Sequence, residues 1–408
     1  MGYVYQDVWL VAGARTGFAD YNGTLKDISA TDLGIAAARG ALDRAGVAAT
    51  GIGAIYAGSV AQTSLDAYYL SRQIGLYSGV PVGVPALQIN RLCCSGFEAI
   101  LLGADQMQLG RIKTALAVGT ESMSRNPLVS YTMRGGFRMG QVDFKDFLWE
   151  ATFDTSANAR MGDTAENLAK QYGITRDDVD AFAAESFARA VSAQQEGFHA
   201  GEIVALADQR WQPEGLQPRG IKLPRGIDQF AVDEHVRPTP LTALQKLKPA
   251  FGGVQTGGNS SAIVDGAAGV VLATGEMVRT LGLKPLARVV AGVSVGCQPA
   301  VMGIGPAPAI RGVLAAAGLK LADIDRFEIN EAFGAQYLAV ERELGLDRGK
   351  VNVNGGAIAL GHPLGATGVR CTLTIARELE RRGLRYGIAS ACAGGGQGTA
   401  ILVENAAA

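Results

Sequence analysis

The chain has 408 residues, room for one large domain or two to three smaller ones, and only 18% of them are charged, below the roughly 25% usual in soluble domains. Its 37 basic and 38 acidic side chains nearly cancel, so there is no global field to attract nucleic acid or anionic lipid, and neither partner is expected. The 55 glycines follow no period and the 14 prolines are ordinary, which excludes collagen and proline-rich disorder.

In chain order, an amphipathic helix stops at Gly46 and a strand follows over Ala54–Gly58. A short strand over Ala86–Ile89 leads through a turn into an apolar helix carrying Phe97, Ile100, Leu101, Ala104 and Met107 at helical spacing. A strand from Thr114 to Val118 comes next. Residues 125–262 are more charged, with clustered arginines and an acidic helix over Thr175–Gln195. The pattern then repeats. Arg39–Gly46 returns as Arg311–Gly318, an offset of 272 residues, with Ile55 meeting Phe327. Gly110–Lys113 and the apolar run to Val118 return near the same offset as Gly383–Tyr386 and the run to Ala391. Strands are also expected over Phe327–Asn330 and Val351–Asn354, and a helix near Gly368–Glu380. Strands alternating with helices imply parallel pairing with helical crossovers. The expected architecture is a duplicated α/β core: one half from 1–124 plus 263–280, the other from 281–408, and an inserted region, 125–262, over one mouth. Ligands of such folds sit at the carboxyl ends of strands.

Five cysteines, an odd number in a chain able to bury a core, suggest free thiols in a reducing compartment, taken here as the cytoplasm. The N-terminus lacks the basic start and apolar run of a secretion signal. No apolar run approaches 18 residues, so no membrane span is expected. With no CxxC and three scattered histidines, no metal site is expected.

Four strand ends carry chemistry. In Asn90-Arg91-Leu92-Cys93-Cys94-Ser95-Gly96, Cys93 opens a helix, where the dipole and free N–H groups favour a thiolate and can hold an oxyanion. A buried inert cysteine, or a redox pair with Cys94, are the other readings of this segment. His362 lies in the glycine-rich turn of residues 352–368, which matches no phosphate-binding pattern. In the duplicated frame Cys93 falls beside this turn, so Cys93 and His362 can meet, and a Cys–His pair is a standard way to activate a thiol. Cys392 precedes Gly394-Gly395-Gly396 at another strand end. Asn330 and Glu331 stand at a fourth, as a helix cap or as groups that fix a water or a histidine.

Six segments in order, NRLCCSG (90–96), VGTESMS (118–124), MGDTAEN (161–167), NEAFG (330–334), NVNGGAIALGHPLGATG (352–368) and CAGGGQG (392–398), resemble the thiolase family over essentially the whole chain. The resemblance implies a duplicated five-layered α-β-α-β-α core with an inserted loop domain, acting on coenzyme A thioesters. It implies Cys93 as acyl-accepting nucleophile, His362 as its base, Cys392 as second acid/base, and Asn330 as the holder of an oxyanion-hole water. The backbone N–H groups of Cys93 and Gly394 would form the second oxyanion hole. Met161, Phe251 and Ser261 match positions lining the pantetheine and acyl channel. Coenzyme A is implied as substrate, with no permanently bound cofactor and a homodimeric or homotetrameric assembly; RGGFRMG (134–140) resembles a tetramerisation loop.

Two departures stand out. Cys94 occupies a position usually Gly, Ala or Ser, and Arg160 replaces a common histidine. Arg160 raises the alternative of a thiolase specialised for a 3-oxodiacyl-CoA such as 3-oxoadipyl-CoA, with the arginine reading the distal carboxylate. A condensing enzyme of the same superfold is the other alternative. It would pair its cysteine with two histidines or with histidine and asparagine, yet His199 and His235 both lie in the insertion.

Overall fold

The computed structural model describes residues 3–131 and 133–408. Its main sheet has eleven strands, nine of them in one continuous path: β1 (Val8–Arg15), β2 (Ala54–Gly58), β3 (Ala86–Ile89), β4 (Thr114–Ser122), β5 (Val264–Thr274), β6 (Ala287–Gly296), β7 (Arg326–Ile329), β8 (Tyr386–Ala393) and β9 (Gln397–Asn405); the two-residue strands Tyr3–Val4 and Ala19–Asp20 pair with β6 and β5 off that path. Their order is β3-β2-β4-β5-β1-β6-β9-β8-β7. Val351 bridges Phe327 in parallel beyond β7, so both ends read out the same connectivity, and the halves join where β6 meets β1. That is the duplication in three dimensions.

Pairing departs from the expected parallel scheme. β2 is parallel to β3 and β4, and β7 to β8, but β5 runs antiparallel to β4 and β1, and β9 to β8 and β6. For β8 and β9 the cause is chain length: three glycines separate them, enough for a hairpin and far too few for a crossover.

The central strands β4 and β5 are buried on both faces, as near-continuous apolar runs require, whereas the edge strand β3 stays partly exposed. In β9, Ala400 and Leu402 face one side while Ile401 and Val403 face the other, and each side meets its own helices. Between the two halves lie α3 (Ser95–Gln108) and α8 (Thr367–Arg382), packed together through Phe97, Ile100, Val369 and Leu373. Outside the first half lie α1 (Ala30–Ala45) and α2 (Leu70–Tyr77). Outside the second lie α6 (Pro306–Ala317) and α7 (Gly334–Leu344). This stacking is the five-layered α-β-α-β-α core.

The insertion contributes α4 (Met161–Tyr172) and α5 (Arg176–Gln195), the latter capped by Thr175, and both pack on the second half, where Phe182 stacks on Tyr337 at 4.2 Å. Its later loops grip the first half: Arg15, wholly buried, pairs with Glu202 at 2.8 Å and Asp233 at 2.7 Å. Burial opposes the Arg15 charge, but the two carboxylates more than offset it.

Glycine closes helices at Gly46 and Gly318, as the sequence suggested, and at four further positions. Beyond the turns at 355–368 and 394–398, Gly46, Gly173, Gly282, Gly318, Gly345 and Gly383 close helices in the left-handed conformation. The strand expected over Val351–Asn354 is also absent. Asn352 turns left-handed (φ 47°), and its amide bonds Ile329 N and O at 2.8 Å each, standing in for the missing ladder. No described helix is long and apolar enough to cross a membrane.

Candidate active site

Cys93 sits where β3 ends and α3 has not yet begun, after Leu92 at φ 48°. A leucine there is strained, by roughly 1–3 kcal/mol, and persists because its surroundings over-determine it. Leu92 N–H donates to Asn90 Oδ1 (2.9 Å), while Ser95 donates to Leu92 O through both N (2.9 Å) and Oγ (2.6 Å). Across the interface, Gly96 and Gly368 let the two catalytic turns touch: a Cβ on Gly96 would lie 2.8 Å from Gly365 O, and one on Gly368 2.1 Å from Phe97 N.

His362 arrives on the second turn. Its backbone N–H donates to Ala262 O (3.0 Å), and its ring is 5% exposed. Nδ1 lies 2.6 Å from Thr367 Oγ1, and Nε2 3.4 Å from Asn330 Nδ2. Asn330 is fully buried at the end of β7, fixed by its N–H to Ser390 O (2.9 Å), and its Oδ1 meets no protein donor. Cys392, fully buried, ends β8 and packs with Met302 and Ala332, against Met161 and Phe333.

The electrostatics correct one expectation. The N–H groups of Cys93 and Gly394 face the Cys93 sulfur, but burial outweighs them and pushes this thiol up to about 12. Burial, with Arg370 adding, pushes His362 down to about 3. Cys392 is driven well above the ordinary thiol value by burial, with Cys93, Cys94 and Cys297 adding to it. The resting pair is therefore neutral thiol and neutral imidazole, not thiolate. The helix starts two residues beyond Cys93, and its dipole is outweighed by desolvation.

The three residues expected to line the channel also gather here. Met161 Sδ is 3.4 Å from where a Gly394 Cβ would stand. The Phe251 ring covers Gly162 and meets Phe333 edge-on at 6.2 Å. Ser261 N–H donates to Ala332 O at 3.0 Å. Arg160 points elsewhere: its guanidinium stacks 3.9 Å over Trp149 and donates to Trp149 O (2.9 Å). The other histidines stay out of the site, His235 on Asp20 (2.7 Å) and His199 buried beside Arg15 and Asp233.

Sequence reasoning missed the clamps, apart from Glu331, which it read as a cap or as a group fixing a water or a histidine and which instead braces Ser186, Asn352 and Ile358. Glu121 accepts from Val60, Ala61 and Gly365 N–H (3.0, 3.0 and 2.9 Å) and so ties the loop after β2 to the His362 turn; burial pushes it up to about 7. Glu331 accepts from Ser186 Oγ (2.7 Å), Asn352 Nδ2 (2.8 Å) and Ile358 N (3.1 Å). Gln397 Nε2 holds Gly394 O (3.2 Å) and is held by Arg91 (3.1 Å). Glu121, Glu331, Asn352 and Gln397 all lay inside conspicuous segments, but Ser186 and Met302 carried no signal.

Residues 8–276 match the thiolase N-terminal domain family and residues 283–405 the thiolase C-terminal domain family. The chain belongs to the thiolase family. It is 44% identical to the human protein named 3-ketoacyl-CoA thiolase, mitochondrial, over 404 residues, covering 98% of each chain. It is 43% identical to the Pseudomonas aeruginosa acetyl-CoA acetyltransferase over 402 residues, covering 98% of this chain and 99% of that one. Among solved structures, human mitochondrial 3-ketoacyl-CoA thiolase in complex with CoA superposes with a TM-score of 0.92 at 43% identity, over 98% of both chains. This thiolase is accordingly an acyltransferase. Neither alternative gains support: the relatives carry the general thiolase names, and Arg160 is committed to Trp149.

Proposed function

We propose that this thiolase cleaves 3-ketoacyl-CoA with coenzyme A into acetyl-CoA and a shortened acyl-CoA, and runs the reverse Claisen condensation, through an acyl group on Cys93. The observation that carries the reading is the closeness of Cys93 to Cys392 and to the Gly394 N–H, with His362 facing Asn330 on a turn whose Gly365 packs against Gly96 beside Cys93.

His362 Nε2 takes the Cys93 proton as the sulfur attacks the 3-keto carbon, so the thiolate forms only as it is consumed. The oxygen that becomes negative is held by the N–H groups of Cys93 and Gly394. The C2–C3 bond then breaks, leaving the acyl group on sulfur and the electron pair on the acetyl-CoA enolate. Cys392 protonates that carbon. Its raised pKa keeps the proton in place until a carbanion needs it. The enolate oxygen is held by His362, now protonated at Nε2, and by a water that Asn330 orients. Coenzyme A then attacks the acyl-cysteine, giving its thiol proton to the Cys392 thiolate; the Cys93 sulfur leaves and takes its proton back from His362 as the shortened acyl-CoA is released. Coenzyme A is a substrate here, not a resident cofactor.

Met161, Met302, Phe251 and Phe333 give the acyl channel apolar walls, which suits the unsubstituted chains of fatty-acid metabolism. Ser261, on the strap from Ala332 to His362, lines the pantetheine side. Catalysis by free thiols calls for a reducing compartment; the human relative is named as mitochondrial, and we place this enzyme in the cytoplasm, which fractionation tests. Assembly as a homodimer or homotetramer belongs to the same reading, with sedimentation velocity as its check. The main test is a thiolysis series from acetoacetyl-CoA to longer 3-ketoacyl-CoAs, with 3-oxoadipyl-CoA included. Monocarboxylic substrates should turn over fastest. A clear preference for 3-oxoadipyl-CoA would overturn the apolar-channel assignment.

A further inference from the structure

We propose that Thr367 is a positioning residue for this reaction: its hydroxyl holds His362 as the Nδ1–H tautomer, which leaves the Nε2 lone pair free to take the Cys93 proton. The inference rests on the reading of His362 as the base and goes beyond it by naming what sets the state of that base.

Thr367 opens α8 and is fully buried, with its Oγ1 2.6 Å from His362 Nδ1. The same Oγ1 lies 3.3 Å from Pro363 O. A carbonyl accepts and never donates, so the hydroxyl proton is placed on Pro363 O, which also accepts from Ala366 N (2.8 Å) and Thr367 N (3.1 Å). That leaves an oxygen lone pair toward Nδ1, and the contact is satisfied when Nδ1 carries the proton. At the far side of the ring, Asn330 Nδ2, a donor, faces Nε2 at 3.4 Å, which again requires a lone pair there. The tautomer of a histidine is set by the bond its other nitrogen makes. Both partners flank a ring that burial keeps neutral, so the proton's position on that ring decides whether the base can act. Threonine suits the task because its branched Cβ fixes Oγ1 against the preceding turn, where it reaches the carbonyl four residues back.

Thr367→Val keeps the shape and removes the acceptor; Thr367→Ser keeps the acceptor. The test compares thiolysis kinetics of both with wild type, and reads His362 by 15N spectra of histidine-labelled protein, tractable because the chain has three histidines. Thr367→Val should lower kcat by about 10–100-fold with little change in KM, and Thr367→Ser should recover most of it, as for other groups that orient a histidine. Wild type should show the Nδ1–H pattern and the valine variant its loss. Wild-type kcat in Thr367→Val, or an Nε2–H pattern in wild type, would overturn the assignment; the wild-type spectrum decides it even if the valine variant does not fold. His362→Ala separates the two layers: full acylation in that variant sinks the base itself, whereas its loss beside an unaffected Thr367→Val sinks only the role of Thr367.

Discussion

His362 is 5% exposed, and its value near 3 lies far below the 6.5 of a solvated imidazole. The unfolded chain therefore binds a proton that the folded chain refuses between those two values. Stability is full above pH 6.5 and falls as the pH drops toward 3. At pH 5 the loss is about 2 kcal/mol. His362→Asn removes the titrating group, so its unfolding free energy should fall less between pH 7 and pH 5, by about that 2 kcal/mol. Denaturant titrations at the two pH values measure it, and an unchanged pH slope would contradict a buried neutral ring. At this scale the sequence was informative where chemistry is scarce: Cys93, His362 and Cys392 stand out as thiols and imidazole in glycine-rich turns. Their supports did not stand out. Glu121 reaches Gly365 across 244 residues, and no local pattern predicts a bond of that span.

Two turns must touch for the residues to meet, and α3 and α8 bring them together with Gly96 and Gly368 at the crossing. Gly368→Ala places a methyl 2.1 Å from Phe97 N, and backbone on both sides leaves nothing soft to yield. Overpacking of this kind costs about 1–3 kcal/mol. Because Cys93 and His362 ride on the displaced segments, kcat should fall along with the melting temperature. Wild-type values for both would show that the crossing is looser than described. Elements with strong periodicity were legible in the sequence: β2 and β3 follow the expected bounds, and α5 starts right after Thr175. The strand at Val351 was not. Four residues of strand-like composition are ended by one left-handed asparagine, which adds to its N–H bond to Phe327 O two side-chain bonds to Ile329 where ladder bonds would run.

At the scale of the molecule, duplication supplies two equivalent sets of strand ends and the fold spends them unequally. The first half provides Cys93, the proposed nucleophile, at the end of β3; the second provides Asn330, His362 and Cys392. The insertion braces both: Arg15 binds its later loops to the first half, and Ser186 on α5 bonds Glu331 beside Asn330 in the second. The repeat was readable because equivalent segments keep their spacing. The antiparallel strands were not, since β5 returns only after the insertion and β9 through a hairpin. The claim on which all of this bears is that the acyl group travels on Cys93. Peptide mapping of Cys392→Ala after brief exposure to acetyl-CoA and acid quench tests it most directly. The account predicts an acetyl thioester on the peptide carrying Cys93; an acetyl group on another residue instead, or no adduct at all, would contradict it.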